Sequence, residues 1–380
     1  MKILFLIHDD YAAGGLQRST MAAARCLSAA GHDATVLCLQ LVVGGFAESF
    51  DFVRGVSNHG ANRHAGGFAL LKELRRYVTD RRPDLCIGMG QSTSAILRMV
   101  TIGCRWTRVY GSERAYPPML QMSWKWRTLR ALTIRRLDGI VCQTRRTADY
   151  YRERMGIAAD RLIVIPNVVE RPLDPLPAPS STLAHLADNE VIACVGRHDW
   201  QKGFDLALPI FATILRERPA ARLLLVGEGD LEAQHREQAE KLGLRDRVLF
   251  LPRFDHLAEI WSQIDVFLLT SRYEGIPNVL AEAMAYGKAC VAFDCPTGPS
   301  ELITDGIDGY LVNVGDEQMA ADRCLRLLRD RNLRDRMGEA ARSIADRLSQ
   351  AKICHLWQGL AVAQSDQTRT SVEKQTASIT

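Results

Sequence analysis

Short apolar runs alternate with amphipathic stretches along most of the 380-residue chain. The first helical pattern, Leu16–Ala30, is expected to end at Gly31, because glycine readily adopts the left-handed conformation of a helix C-cap. The strands predicted in the first half are Lys2–Ile7, Ala34–Leu39, Asp84–Gly88, Arg108–Tyr110, Gly139–Cys142 and Leu162–Ile165. Continuous apolar strands separated by helices are typical of a parallel sheet that is covered on both faces.

A proline-rich segment divides the chain. Residues 171–181 contain four prolines, which exclude regular structure because proline fixes φ and lacks a backbone N–H. The alternation then resumes, and the predicted strands are Val191–Val195, Arg222–Val226, Val248–Leu251, Val266–Leu269, Ala289–Phe293 and Tyr310–Val312. One long charged helix is predicted near Gln318–Arg347.

The pattern therefore predicts an α/β protein with two Rossmann-like domains. Their parallel sheets are expected to face a central cleft, because ligands bind outside the carboxyl ends of the strands in such sheets. The predicted organisation is a domain at 1–170, a linker at 171–187, a second domain at 188–350, a helix at 351–364 that crosses back to the first domain, and a disordered tail at 365–380.

Charge and cysteine content narrow the range of partners. Residues 1–170 contain 24 Lys and Arg against 14 Asp and Glu, whereas the rest of the chain contains 24 against 30. This asymmetry fits either a first domain that faces an anionic partner or a simple drift of surface charge. The ten cysteines include no C-x-x-C pair, and several lie in apolar runs, namely Cys38, Cys86, Cys142 and Cys194. We interpret these as buried thiols of a reducing compartment, not as a disulfide framework or a zinc site.

The apolar start Met1–Ile7 is too short for the core of a signal peptide, because His8 and two aspartates follow it. The sequence also lacks a run of about 18 apolar residues, the length that a membrane-spanning helix needs. We therefore expect a cytoplasmic protein, with any membrane contact at the surface.

The first candidate motif is Gly14-Gly15, between the first strand and the first helix. Two glycines let a backbone approach a phosphate, and the helix N-terminus adds partial positive charge. An ordinary flexible turn would explain the pair equally well.

The second motif, Gly196–Asp205, follows the first strand of the second domain. Arg197 and Lys202 are fixed cations at a strand end, where they would neutralise a departing diphosphate. The alternative is a solvated basic loop. The position at the end of a strand favours the functional interpretation.

The third motif contains Glu274 and Glu282, which flank a strand-end turn and a helix start. Gly275 and Pro277 mark the turn, and Asn278 is a candidate helix cap. The backbone N–H groups near residues 275–280 would face an anion, and each carboxylate can accept hydrogen bonds from sugar hydroxyls. The alternative is a pair of surface carboxylates, although Glu282 lies in an otherwise apolar stretch where a carboxylate needs a partner.

The three motifs together resemble the large retaining glycosyltransferase family 4, which has the GT-B fold and includes many bacterial polysaccharide and lipopolysaccharide enzymes. The signature of that family is a glutamate, seven residues and a second glutamate, as in Glu274 and Glu282. Arg197 and Lys202 match its basic pair, and Gly14-Gly15 matches its N-terminal glycine loop. The run Phe293–Glu301 looks like a segment of members that transfer hexoses or N-acetylhexosamines.

This resemblance covers residues 1–360 and implies roles for individual residues. Glu274, Arg197 and Lys202 would be catalytic: the carboxylate would contact the donor sugar, and the two cations would stabilise the leaving diphosphate. Glu282 would bind the ribose. The donor-binding residues that the resemblance implies are Gly14, Gly15, Arg197, Lys202, Glu274, Gly275, Ile276, Pro277, Asn278, Val279 and Glu282. The sequence contains no D-x-D, which is consistent with a reaction that needs neither a metal ion nor another cofactor.

The chain departs from the family in the first domain. Many members carry a histidine near the sugar, whereas the comparable position here is Arg114, which follows Glu113. Either residue could serve on the acceptor side.

A basic and aromatic segment, residues 114–137, contains six Lys and Arg and no acidic residue. The cations alternate with aromatic and apolar residues such as Trp124 and Trp126, as suits an anionic membrane surface or a lipid-diphosphate acceptor. A core-packed helix with a basic outer face is the alternative, and nucleic acid is the least favoured partner.

The sequence as a whole predicts a metal-independent retaining transferase. It would move a hexose or N-acetylhexosamine from a nucleotide sugar, expected to be a UDP-sugar, to a glycan or polyprenyl-diphosphate-linked acceptor at the inner face of the cytoplasmic membrane. Two alternatives stay open: a nucleotide-sugar epimerase of the same two-domain fold, and a nucleotide-sugar binder without catalysis.

Overall fold

The computed structural model describes residues 1–9, 15–40, 53–55, 67–119, 123–170, 172, 183, 186, 189–254 and 257–362. The predicted tail at 365–380 and nearly all of the predicted linker at 171–187 lie outside the described residues. The chain forms two compact units, the first comprising Met1–Val168 and Gln350–Thr380 and the second comprising Val169–Ser349.

The first unit is built on a parallel sheet. Its described strands are β1 (Lys2–Asp9), β2 (Asp33–Gln40), β3 (Val53–Gly55), β4 (Leu85–Met89), β5 (Arg108–Glu113), β6 (Gly139–Cys142) and β7 (Leu162–Val164). They pair in the order β3-β2-β1-β4-β5-β6-β7, and every described pairing is parallel. The order changes direction between β1 and β4, which is the position where sheets of this kind bind ligands.

Helices connect these strands. They are α1 (Gly15–Ala29), α2 (Gly67–Arg81), α3 (Gln91–Val100), α4 (Trp124–Ile134) and α5 (Arg145–Met155). Gly31 has φ +82°, as its predicted role after the first helix requires. Gly88 permits close packing of α3 on the sheet, because a Cβ there would lie 2.4 Å from the Ser94 backbone.

The second unit repeats this architecture. Its described strands are β8 (Val191–Val195), β9 (Arg222–Val226), β10 (Val248–Leu251), β11 (Val266–Leu269), β12 (Ala289–Phe293) and β13 (Tyr310–Val312), with the bounds that the sequence predicts. They pair in the parallel order β10-β9-β8-β11-β12-β13. The prediction of an α/β fold with two parallel sheets is confirmed.

The helices of the second unit correct one prediction. They are α6 (Phe204–Glu217), α7 (Glu232–Lys241), α8 (Ala258–Gln263), α9 (Asn278–Ala285), α10 (Pro299–Leu302), α11 (Glu317–Arg329), α12 (Arg331–Ala341) and α13 (Ile344–Arg347). The single helix predicted near Gln318–Arg347 is therefore wrong, since three helices cover this range. Asp330 separates the first two, because its side chain accepts a hydrogen bond from the Leu333 N–H at 2.9 Å and caps α12.

A last helix, α14 (350–362), packs within the first unit. The Trp357 ring meets the edge of Phe5 of β1 at 5.8 Å between ring centroids. Cys354 forms a disulfide with Cys26 of α1. The interpretation of the cysteines as thiols of a reducing compartment did not foresee this bond, because two residues 328 positions apart in sequence give no spacing signal. The other eight cysteines are buried thiols, as predicted for the cysteines in apolar runs.

Candidate active site

The candidate site of the second unit lies where the carboxyl ends of β8 and β11 are adjacent. From β8, the chain adds β9 and β10 on one side of the sheet and β11, β12 and β13 on the other. The strand order therefore changes direction between β8 and β11. The loop 196–203 follows β8, and the segment 270–277 follows β11. Such a switch point is a preferred ligand site in parallel sheets.

Lys202 and Glu274 form an ion pair at this point. The Lys202 Nζ lies 2.7 Å from the Glu274 Oε1, and the two side chains are only 16% and 6% exposed. The Ser271 hydroxyl donates a second hydrogen bond to the same carboxylate oxygen at 2.7 Å. The carboxylate is thus held by a cation and a hydroxyl, as a nearly buried charge requires.

Backbone contacts fix the loop that carries Lys202. Its N–H donates to the Asp199 carboxylate at 3.0 Å, and its carbonyl accepts from the Thr270 hydroxyl at 3.0 Å. The next residue, Gly203, has φ +67°, and a Cβ there would lie 2.2 Å from the Thr270 carbonyl oxygen. The loop after β8 therefore rests directly on the start of the segment after β11.

Arg197 is the exposed cation of the same loop. Its side chain is 70% exposed and forms an ion pair with Asp199 at 3.0 Å. Burial raises the pKa of Tyr273, and the charges of Asp199, Arg197, Glu274 and Lys202 also act on it. The charges of Arg197, Lys202 and Glu274 thus all influence the pKa of Tyr273. The Arg197 side chain is exposed to solvent.

The turn 275–277 connects Glu274 to α9. Gly275, Ile276 and Pro277 are buried, whereas Asn278, Val279 and Glu282 are half-buried. The predicted Asn278 cap was wrong, because Asn278 is the first residue of α9 and Pro277 occupies the cap position. The Leu280 N–H is used within the helix, where it donates to the Pro277 carbonyl at 3.0 Å.

The segment after β12 supports this turn, a role that could not be predicted from the family resemblance. The Thr297 hydroxyl donates to the main-chain carbonyl of Glu274. Gly298 has φ +101°, and a Cβ there would lie 2.5 Å from the Pro277 Cδ. Apart from the family resemblance of Phe293–Glu301, the sequence signal for this segment is its position after a strand end.

In the first unit, the predicted phosphate-binding glycines are only partly described. Gly14 lies outside the described residues, and Gly15 is the first residue of α1. Their contact with a diphosphate stays a prediction.

Glu113, the last residue of β5, is buried with 3% exposure. Its Oε2 accepts a hydrogen bond from the Gln91 amide at 2.8 Å. Burial raises the pKa of Glu113, while the Arg130 charge and the bonds from Gln91 and Tyr151 oppose this effect. Arg114 points to Asn167, to whose Oδ1 it donates at 2.8 Å, and burial lowers the pKa of Arg114 to about 10.

The basic and aromatic segment forms α4, whose outer face is exposed. Trp124 is 72% exposed and Trp126 is 38% exposed. Lys125, which lies between them in sequence, and Arg127, which follows Trp126, are also exposed. Arg130 is different, because its guanidinium donates a hydrogen bond to the Tyr151 hydroxyl. Arg130, one of the six cations of this segment, therefore does not share the exposed face of Lys125 and Arg127.

The described residues contain neither a helix suited to span a membrane nor a cluster of metal-binding side chains. Within them, no helix has the length and apolarity needed to span a bilayer. The same residues hold no group of three or more His, Cys, Asp or Glu arranged to bind a metal ion. The predicted independence from metal ions stays a prediction.

Comparison with known protein families defines the class of this chain. Residues 181–344 match the model "Glycosyl transferases group 1", and residues 14–168 match the model "Glycosyl transferase 4-like domain". The two matched ranges correspond to the two structural units. Lys202 and Glu274 both lie in the range that matches "Glycosyl transferases group 1". The chain is a glycosyltransferase.

Two of three reported relatives are themselves named glycosyltransferases. An uncharacterized glycosyltransferase of Haemophilus influenzae is 24% identical over 94% of this chain and 99% of its own length. The amylovoran biosynthesis glycosyltransferase AmsD of Erwinia amylovora is 35% identical over 40% of this chain and 42% of its own length. An exopolysaccharide phosphotransferase of Streptomyces coelicolor is 33% identical over 63% of this chain, but the match spans only 25% of that relative.

Solved structures agree on the fold. The HepE protein of Anabaena, crystallised with UDP-glucose, superposes with a TM-score of 0.79 over 96% of this chain and 100% of its own, at 20% identity. The TarM protein of Staphylococcus aureus superposes with a TM-score of 0.78 over 95% of this chain and 98% of its own, at 14% identity. The fold is the two-domain GT-B glycosyltransferase fold, as predicted.

Proposed function

We propose that this chain is a retaining transferase that moves a hexose or N-acetylhexosamine from a UDP-sugar to a glycan or polyprenyl-diphosphate-linked acceptor in cell-surface polysaccharide synthesis. The observation that carries the proposal is the Lys202–Glu274 pair at the switch point of the second sheet. A relative named as an amylovoran biosynthesis glycosyltransferase and another named as an exopolysaccharide phosphotransferase support the polysaccharide context. A structural neighbour crystallised with UDP-glucose makes UDP-sugars the first donors to test.

The chemistry of the site follows from the charges of its residues. The bond from the anomeric carbon to the diphosphate breaks, so negative charge develops on the leaving phosphate. Arg197 and Lys202 are cations fixed before the reaction starts, and such preorganised charge stabilises the transition state. Glu274 accepts hydrogen bonds from the sugar hydroxyls.

Retention requires that the acceptor oxygen bonds to the same face of the sugar that the diphosphate leaves. In the proposed reaction, the acceptor hydroxyl forms the new bond and its proton passes to an oxygen of the departing phosphate. Charge is then balanced by Arg197 and Lys202, and the reaction is proposed to need no metal ion. We assign no covalent nucleophile.

The test is a transfer assay on the full chain with UDP-glucose and UDP-N-acetylglucosamine as donors. Lys202→Met and Glu274→Gln are each expected to lower turnover on the order of 10²-fold. The matched control is Lys241→Met, because Lys241 pairs with Glu237 at 2.6 Å but both side chains are more than half exposed. Turnover near that of the control in either variant contradicts the proposed roles.

Two further arms separate the alternatives. The donor incubated without acceptor would yield an epimer if the chain were an epimerase, which the glycosyltransferase relatives do not favour. Tight donor binding without transfer to any acceptor would indicate a binding protein. Retention is read from the anomeric configuration of the product by NMR, and an inverted product contradicts it.

We also propose that α4 rests on the anionic inner face of the cytoplasmic membrane. Exposed tryptophans beside exposed cations suit this surface, because the rings enter the interface while Lys125 and Arg127 meet anionic headgroups. The test is flotation with anionic liposomes of the wild type and of the Lys125→Glu, Arg127→Glu double variant.

The control for flotation carries the same charge change on another exposed helix, as Lys72→Glu and Arg76→Glu of α2. We expect the α4 variant to lose flotation and the α2 variant to keep it. Equal flotation of both variants removes α4 from the membrane contact. Arg130 is left unchanged in this test, because it faces Tyr151.

A further inference from the structure

His198 lies between the two cations of the 196–203 loop, but its side chain points away from solvent. It is 0% exposed, whereas the neighbouring Arg197 is exposed. Its ring meets the Phe204 ring edge-on at 4.8 Å and stacks on the Phe250 ring at 5.9 Å, measured between centroids. A polar ring in this apolar setting needs a hydrogen-bonding partner.

The partner is a second buried histidine. The Nδ1 of His198 lies 2.9 Å from the Nδ1 of His235 on α7, which is 2% exposed. This bond requires one N–H and one lone pair, so the two rings are complementary tautomers. The His198 Nε2 is buried and has no partner among the described residues. If His198 carries its proton on Nδ1, the unpartnered Nε2 holds only a lone pair. The other tautomer would leave an unpaired N–H at Nε2. We therefore assign the Nδ1 of His198 as the donor to His235.

The main chain of His198 is bonded to the same region. Its N–H donates to the Glu228 carbonyl at 3.0 Å, and its carbonyl accepts from the Leu231 N–H at 2.9 Å. Gly229 lies against it so closely that a Cβ would be 2.5 Å from the His198 carbonyl oxygen. Side chain and backbone of His198 thus tie the centre of the loop to the segment 228–231 and to α7.

We propose that the His198–His235 imidazole pair is the positioning element that holds the 196–203 loop in the conformation that presents Arg197 and Lys202. The proposal rests on the proposed function of these cations as the diphosphate site. A loop fixed before the donor arrives presents its charges without reorganisation, which is the condition for electrostatic stabilisation of a leaving group. The histidines act through the loop and do not touch the substrate.

The test compares two replacements of His198 that differ in polarity. Asn places an amide N–H near the position of the imidazole Nδ1 and can still donate to His235, whereas Leu fills the apolar space without a donor. If the pair positions the loop, the Leu variant is the damaged one. If the ring only fills the core, the order reverses, because a buried amide is harder to accommodate than Leu.

Two measurements are made on each full-length variant: amide hydrogen exchange of residues 196–203 without ligand, and the dissociation constant of UDP by calorimetry. We expect His198→Leu to speed exchange and weaken UDP binding by about 10-fold each, and His198→Asn to stay within about 3-fold of the wild type, from the cost of one unsatisfied buried group. His235→Leu leaves the loop sequence intact and should show the same changes in loop exchange and UDP binding as His198→Leu. It replaces His198→Leu in the test if that variant does not fold.

Loop exchange at the wild-type rate in both Leu variants overturns the proposal, as does a faster loop in His198→Asn than in His198→Leu. If the wild-type chain does not bind UDP, the proposed donor is wrong, and loop exchange alone then decides the positioning role.

Discussion

The Lys202 ammonium lies 2.7 Å from the Glu274 carboxylate, although 72 positions separate the two residues in sequence. The pair is nearly buried, so removing one partner leaves an uncompensated charge. We expect Lys202→Met to lower the free energy of unfolding by about 3 kcal/mol. The double variant Lys202→Met, Glu274→Gln should recover part of this loss. Urea denaturation of the single and double variants measures the coupling, and strictly additive losses contradict it.

Gly298 gives a prediction about the turn that holds Glu274. Alanine there would place its Cβ 2.5 Å from the Pro277 Cδ and 2.8 Å from the Gly275 carbonyl oxygen, so the turn must move. Gly306 provides the control, because its φ of +76° is similarly strained for alanine but nothing lies within 4 Å of its Cβ position. We expect Gly298→Ala to lower turnover on the order of 10-fold or more, since small displacements of a positioned group are costly.

The transfer assay that measures Gly298→Ala is repeated with Gly306→Ala. Gly306→Ala should lose stability by about 1 kcal/mol but keep near-normal turnover. Equal loss of turnover in both variants would show that backbone strain, not the contact with the turn, is responsible.

The strands of the second unit could be predicted from sequence because each is a short apolar run with sharp polar boundaries. Lys202 and Glu274 could be predicted because both follow strand ends. The Ser271 hydroxyl and the Gly298 contact could not, because they depend on how three strand-end loops pack together. Asp330 was missed as a helix boundary because the charged pattern continues across it, and a single Asp carries little weight within a long helical pattern.

The first unit was harder to predict for physical reasons. β3 (Val53–Gly55) has the sequence Val-Arg-Gly, which is not an apolar run, whereas the equally short β13 is Tyr-Leu-Val. Sequence position alone does not show that Arg130 faces Tyr151 while Arg127 on the same helix is exposed. The Cys26–Cys354 bond depends on where α14 packs, which is a property of tertiary structure.

Arg130 supplies a prediction about Glu113. Its charge lowers the pKa of this buried carboxyl, against the dominant effect of burial. Arg130→Met should therefore raise that pKa further, so that the folded state holds its proton at a pH where the unfolded state has lost it. Stability falls with rising pH in that range. We therefore expect the free energy of unfolding of Arg130→Met to fall further below that of the wild type at pH 8 than at pH 5.

Urea denaturation at both pH values tests this prediction, and Arg127→Met is the control because Arg127 lies on the exposed face of the same helix. A deficit independent of pH would mean that Arg130 stabilises the unit by packing on Tyr151 alone.

The His198–His235 pair predicts acid sensitivity of the second unit. Burial is the main cause that lowers the pKa of His198 from 6.5 to about 4, and burial also lowers the pKa of His235. Protonation therefore favours the unfolded state, in which histidine binds a proton below about 6.5. The two neutral rings therefore contribute fully to the stability of the folded state above about pH 6.5, and this contribution is lost as the pH falls toward 4.

Charged side chains near the two rings also act on their pKa values. Glu232, Arg236 and Asp199 act on His198, and Asp205 and Arg272 also act on His235. These groups stay in place in a His198→Leu, His235→Leu double variant, so the comparison isolates the two rings. Urea midpoints between pH 7.5 and 4.5 should fall more steeply for the wild type than for the double variant. Parallel slopes would mean that other groups cause the acid sensitivity and that the pair does not bind its protons differently in the folded state.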